Sequence, residues 1–349
     1  MNILKKTVVS FCLLGVFFSA YPSGNQEESA KNIALFIPGV LSGNPIYQML
    51  EQGVQKAITE YNAENNTSTA KFAILEAGTN QAEWGKKLTS LVAQQKYSLI
   101  ISSNPAMPDF ARPILKQFPS QNFLFLDAYE KNNKNIATIR YNQREQAFLS
   151  GYASALATTS KELKYANSSK KIALIAGQEY PVMNNIILPA FIEGAKAVDK
   201  DIQVEFRIVG NWYDATKGSE IAKSLYDSGV DVILPIAGGA SQGVIAAAQK
   251  HGFYISWFDD NGFNKAPGYV ISSSVMAQEK MAYEQTKKFL DGNTAFGTAK
   301  TVGIRDGYIQ FILDDPLYLE TVPYTMQEHM QQIYNDILSG KITLNPPTF

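Results

Sequence analysis

Short apolar runs of strand length recur along this chain, separated by longer segments whose apolar residues repeat every three to four positions. Runs at 32–37, 71–76, 97–101, 122–126 and 135–141 are followed by others at 171–176, 202–209, 231–236, 253–257 and 269–274. Between them Ile46, Met49, Leu50, Val54, Ala57 and Ile58 keep helical spacing, as do Leu88, Leu91 and Val92. Strands that are apolar on both faces need cover on both faces, so the pattern demands α/β architecture with parallel sheets between layers of helix. The two halves also echo each other. Ile33-Ala34-Leu35 opens the first and Ile172-Ala173-Leu174 the second. Each is followed by a helix carrying Glu51-Gln52-Gly53-Val54-Gln55-Lys56-Ala57 or Ile192-Glu193-Gly194-Ala195-Lys196-Ala197. A duplicated α/β domain explains both halves, with convergent helix composition as the rival, and 349 residues suit two domains of ~150 residues each.

Composition removes whole classes of function. An apolar fraction of 45% is too high for disorder. Lys plus Arg number 31 against 32 Asp plus Glu, so no overall bias toward nucleic acid exists and no nucleic acid partner is expected. With two histidines, His251 and His329, and one cysteine, Cys12, neither a zinc site nor a Cys/His nucleophile is expected. At the amino terminus Lys5 and Lys6 precede an apolar run over 7–20, the form of a secretory signal peptide at 1–20, with a flexible tether at 21–31. Phe18-Ser19-Ala20 is shaped like the start of a lipid-attachment box, yet Tyr21 stands where the acylated cysteine belongs. The chain therefore reads as exported, periplasmic or envelope-associated, with a membrane tether possible and a lipid anchor left open.

In open α/β sheets a ligand sits beyond the carboxyl ends of the strands. Those tips carry Pro38-Gly39 through Asn44-Pro45-Ile46-Tyr47, then Asn104, then Asp127. In the second half they carry Gly177-Gln178-Glu179-Tyr180-Pro181, Gly210-Asn211-Trp212-Tyr213-Asp214, the glycine turn around Gly239, and Asp259-Asp260-Asn261. They are rich in amides, carboxylates and rings and almost bare of cations, which suits a flat, uncharged, hydroxyl-bearing ligand and not a phosphate. Each has a structural alternative. Asp127 either caps its turn or meets ligand. Asp214 is a ready N-cap for a helix over 215–226, and that role is preferred. Trp212 lies in a polar loop, whereas Trp257 ends an apolar strand and reads as core. Asp259 and Asp260 are adjacent and point apart, unlike the facing carboxyls a glycosidase needs. Gly238-Gly239-Ala240-Ser241-Gln242-Gly243 misses the dinucleotide fingerprint at Ala240 and lacks the Walker lysine, leaving a helix amino terminus for ligand oxygens or a structural turn.

The run from Ile136 through Arg140-Tyr141-Asn142-Gln143-Arg144-Glu145-Gln146 to Gly151-Tyr152 resembles a hallmark of the basic membrane lipoprotein family. So do Gly210-Asn211-Trp212-Tyr213-Asp214, Leu225 to Ile233, Gly239 to Val244 and Trp257-Phe258-Asp259-Asp260-Asn261. That family comprises exported substrate-binding components of ABC importers, purine nucleoside receptors among them. The resemblance implies a type I periplasmic binding protein fold: two Rossmann-like lobes joined by three hinge crossovers, near Tyr141, Asn261 and Thr301. The lobes would comprise 32–141 plus 262–300 and 142–261 plus 301–349. It implies a small-molecule ligand and ABC permease subunits as partners, with no catalysis, no metal and no resident cofactor. Asp127 matches the acidic residue beside the base, Asp259 the one that holds ribose hydroxyls, and Gly239 the matching glycine turn.

The departures bear on the ligand. Ile46-Tyr47 stands where nucleoside receptors carry a Phe-Asn pair, Ile187 replaces a stacking Phe, and Ala277 replaces a lysine. Riboflavin-binding members are similar in carrying Pro-Gly and Pro-x-Tyr in the first loop, here Pro38-Gly39 and Pro45-Ile46-Tyr47. Riboflavin is thus the leading expectation and a purine nucleoside the alternative, held by Asn44, Tyr47, Asn104, Asp127, Tyr180, Trp212, Tyr213, Asp214, Gly239, Asp259 and Asn261. A nucleoside hydrolase or dehydrogenase on a similar scaffold is the rival from another class, as is an adhesin or sensor.

Overall fold

The computed structural model describes residues 31–66 and 69–347. The expected signal peptide, and the tether apart from Lys31, lie outside the described residues.

Two six-stranded sheets are built on the same plan. The first runs β2 (Lys71–Glu76), β1 (Asn32–Ile37), β3 (Leu99–Ser103), β4 (Phe123–Leu126), β5 (Ile136–Tyr141) and β11 (Ala299–Val302) from edge to edge. The second runs β7 (Gln203–Ile208), β6 (Lys171–Ala176), β8 (Val230–Ile236), β9 (Tyr254–Asp259), β10 (Val270–Met276) and β12 (Ile309–Phe311). All pairings are parallel except β10 with β12. Central strands such as Leu-Ile-Ile-Ser-Ser of β3 are buried throughout. The outer strands β2 and β7 have no fully buried residue and expose Lys71, Glu76, Gln203 and Arg207, charges and amides that keep an open edge from pairing with another chain.

Four helices carry the packing that matters most. α1 (Pro45–Glu64) follows β1 and lies on α8 (Gln278–Leu290); α5 (Leu188–Val198) follows β6 and lies on α4 (Gln143–Thr158). Both contacts are made through glycine. A side-chain carbon on Gly194 would come within 2.0 Å of Phe148 O, and one on Gly151 within 2.0 Å of Phe191 O. Gly53 stands 2.3 Å by the same measure from Glu279 O. The repeated helix sequence around Gly53 and Gly194 is therefore one packing solution used twice.

The chain passes between sheets three times. β5 leads to α4 through Asn142, β10 leads to α8 through Ala277, and β11 leads to β12 through residues 303–308. The second passage corrects the expected boundary near Asn261, because β10 remains in the second sheet, beside β9. Hydrogen bonds bind the passages together: Asn142 N to Val302 O at 2.7 Å, Ala277 N to Tyr308 O at 3.0 Å, and Ile304 N to the Glu145 carboxylate at 2.7 Å. Tyr141 Oη donates to Gln278 Oε1 at 2.6 Å across the same region. Among the described residues no helix is long and apolar enough to cross a membrane.

Candidate functional site

The carboxyl ends of the two sheets face each other, and the side chains there interact across the gap. Asp127 directly follows β4 and Asp259 ends β9, both half-buried. Burial, then the charge of Asp259, pushes the Asp127 carboxyl up to about 8, while Arg140 works in the opposite sense. Burial and the neighbouring Asp260 push Asp259 up to about 7, and the amide of Gln146 partly offsets this by donating to Oδ1 at 3.3 Å. Two carboxyls in a desolvated gap, each raised, form a site that prefers hydrogen-bond donors to anions.

Rings surround the pair. The buried Tyr47 sits in the first turn of α1, where Pro45 starts the helix and Asn44 caps it by accepting from Tyr47 N at 3.2 Å. Its hydroxyl donates to Pro38 O at 3.1 Å, and burial holds that hydroxyl far above the ordinary phenol range. Asn104 hydrogen-bonds to it in turn, while also accepting from Ala106 N at 2.9 Å. Tyr213 reaches over from the second lobe. A side-chain carbon on Gly39 would lie 3.1 Å from the Tyr47 ring and 3.8 Å from the Tyr213 hydroxyl. Tyr180, raised by burial and by both aspartates, places its ring 6.0 Å from Trp212 at an interplanar angle of 48°.

Trp212 is fixed on several sides. Its indole donates to Gln178 Oε1 at 3.0 Å, and one face lies so close to Gly177 that any β-carbon there would come within 2.5 Å. The glycine turn serves the same end. Gly238 adopts φ +56° and passes beside Trp212 O, and Ala240 N donates to that carbonyl at 3.3 Å. Gly239 lies between Trp212 and Tyr213, with a β-carbon there 3.4 Å from Trp212 O. The helix after this turn, α7 (Ser241–His251), packs on α6 (Ala215–Asp227).

Asn44, Tyr47, Asn104, Asp127, Tyr180, Trp212, Tyr213, Gly239 and Asp259 thus gather at the facing strand ends. Asp214 and Asn261 do not. Asp214 is exposed and caps α6 by accepting from Lys217 N at 2.9 Å. Asn261 is exposed too, with its amide on Asp315 at 2.8 Å and its carbonyl on Phe263 N. Trp257 is core, as expected, its indole donating to Asp260 at 2.6 Å. Gln178 stood among the strand-tip residues without a role, and two further neighbours were not read as site residues: Gln146 and Arg140. Arg140 carried a signal, a charge inside an otherwise apolar strand, and it modifies the expectation of tips without cations. It lies over the Tyr129 ring at 4.5 Å and faces Asp127.

Two duplicated parallel α/β lobes with facing strand ends define the architecture of type I periplasmic solute-binding proteins. A solute-binding protein of an ABC transporter system from Aeropyrum pernix superposes with a TM-score of 0.75 at 16% identity, covering 91% of this chain and 94% of that one. The family described as ABC transporter substrate-binding protein PnrA-like matches residues 30–343, and the chain belongs to it. It is accordingly a substrate-binding protein of an ABC transporter, a class that takes up a small molecule outside the cytoplasmic membrane and passes it to permease subunits. Among its relatives, the ABC transporter nucleoside-binding protein BmpA of Lactococcus lactis subsp. cremoris is 24% identical over 84% of each chain. Basic membrane protein D of Borreliella burgdorferi is 26% identical over 98% of this chain and 94% of its own.

Proposed function

We propose that the cleft between the lobes captures a nucleoside, releasing it unaltered to the permease. The observation that carries this reading is the pair Asp127 and Asp259, one carboxyl from each lobe, directed into the same gap. A nucleoside offers hydrogen-bond donors at both ends, ring N–H groups for one carboxylate and the ribose diol for the other, and closure engages both at once. Tyr47, Tyr180, Trp212 and Tyr213 supply faces and edges for the ring between them. The Lactococcus relative, a nucleoside-binding protein by name, supports the same choice.

Riboflavin is the second reading. The four aromatic side chains Tyr47, Tyr180, Trp212 and Tyr213 favour a larger flat ring carrying a polyhydroxyl chain. Calorimetric titration with inosine, adenosine and riboflavin, together with the visible absorbance of the purified protein, separates the two. Heat with the nucleosides and a colourless preparation is the expected result. A yellow protein that responds to riboflavin alone reverses the order. Export by a leader at 1–20, and any lipid tether, belong to this proposal and are checked by sequencing the mature amino terminus.

A further inference from the structure

Among the described residues the chain passes between the lobes three times covalently, and residues 341–347 add a non-covalent passage. The final helix, α10 (Tyr324–Ser339), belongs to the second lobe: it packs on α4, and Thr325 donates to Glu162 at 3.1 Å. It stops at Gly340, whose φ of +84° reverses the chain. Ile342 N then donates to Asp336 O at 2.9 Å, and Leu344 is buried.

Beyond this point the backbone is held by side chains of the first passage. Asn142 Nδ2 donates to Leu344 O at 2.8 Å, Arg144 Nη1 to Asn345 O at 2.9 Å, and Arg140 Nη1 to Pro347 O at 3.2 Å. Arg144 stands on α4, Asn142 in the link, and Arg140 on β5 of the first lobe. Asn142 occupies the N-cap position of α4 yet makes no side-chain cap bond there; its amide is on the tail instead. Arg140 also donates to Thr301 Oγ1 at 3.3 Å and faces Asp127, so the group that ends the tail's path borders the cleft.

We propose that residues 341–347 form a strap across the hinge that holds the lobes toward their closed arrangement. Rotation of one lobe about Asn142 changes the separation of β5 from α4, and a tail bonded to both has to release one end. Two of its bonds come from guanidinium groups, the stronger kind. Losing them shifts the open-to-closed ratio by about five- to thirty-fold. The strap concerns lobe motion and holds whichever ligand the cleft takes.

The test is an interlobe distance measurement on the ligand-free protein. Spin labels at Lys86→Cys and Glu220→Cys, in a Cys12→Ser background, report one lobe each. Deleting residues 345–349 keeps Leu344 in place and removes the two guanidinium contacts; the distance distribution is expected to move toward longer separations. Arg144→Ala should move it the same way by a smaller amount. Glu193→Gln, which removes the 2.7 Å ion pair of Arg144 but leaves its bond to the tail, should leave the distribution unchanged. A deletion chain that melts with the full-length transition and keeps the original distances overturns the strap. If the deletion itself unfolds the chain, Arg144→Ala decides by the same criterion.

Discussion

Asp127 and Asp259 stand at the same place in two copies of one sheet. Counting inward from the β2 and β7 edges, β4 and β9 are each fourth, and each aspartate holds left-handed backbone, with φ of +53° and +78°. Such a conformation costs on the order of 1–3 kcal/mol at a non-glycine residue, though aspartate tolerates it better than most. Duplication has placed that cost twice, at two points that face each other, where burial raises both carboxyls and the charge of Asp259 raises Asp127 further.

The first prediction follows from these carboxyls. Both are raised where the ends of the two sheets face each other, to about 8 and about 7, so the closed arrangement holds protons that opening releases. Its stabilisation is full below the ordinary carboxylate range and is lost as pH rises through about 7 and 8. A ligand that donates hydrogen bonds favours the ionised carboxylates, so binding releases protons and affinity rises between about pH 5 and 8. Calorimetry in two buffers of different ionisation enthalpy measures the protons directly. Asp127→Asn should flatten the upper part of the profile and weaken binding by ~1.5–3 kcal/mol. A pH-independent affinity in the unaltered protein would sink this account.

The indole of Trp212 is held by Gln178 and by the glycine turn, ready to meet a ring. Trp212→Ala should weaken ligand affinity by ~1–3 kcal/mol. Gln178→Ala, which frees the indole without removing it, should cost less. Equal affinities for all three proteins in a titration would take Trp212 out of the site.

Asp214 and Asn261 separate local structure from binding. Asp214→Ala removes a helix cap and should lower unfolding stability by ~1 kcal/mol, while ligand affinity stays as it was. Asn261→Ala should behave alike, losing its bond to Asp315. Urea melts and ligand titrations on the same samples check both halves of the expectation.

Glycine at the helix contacts gives a stability prediction. Gly194→Ala puts a carbon against the Phe148 carbonyl, which is backbone and cannot swing aside. A loss of ~1–3 kcal/mol or more is expected, read as a lower urea midpoint. Gly53→Ala should do the same on α1. A midpoint unchanged in both would mean that the helix pairs separate freely.

Much of this was legible in the amino-acid order. Apolar strands announce themselves because both faces are covered, and strand-end residues such as Asp127, Tyr180 and Trp212 stand out by their polarity or size. β11 and β12 did not, since Ala299–Val302 and Ile309–Phe311 are too short to show a period. The run at 269–274 reads as a strand, but nothing in its order says which sheet it joins, so the second passage falls after β10 and not near Asn261. Ser272, Ser273 and Ser274 are fully buried there, and Ser272 pairs with Ser256 at 2.6 Å, a polar seam within a core strand. Gln146 lies on α4, away from any strand tip, so only the path of the chain between lobes reveals that it reaches Asp259.

The interleaved path has a consequence for biosynthesis. The glycine-bearing face of α1 is covered by α8, and the outer margin of its sheet by β11; both are translated after nearly all of the second sheet. A nascent chain emerging from the ribosome therefore carries an unfinished first half until residue 302 is clear. The second half, whose α4 arrives just ahead of its own strands, has most of its partners close at hand. It still waits for β12 and α10, which follow residue 302, so vectorial synthesis leaves each half open until its own late elements are clear.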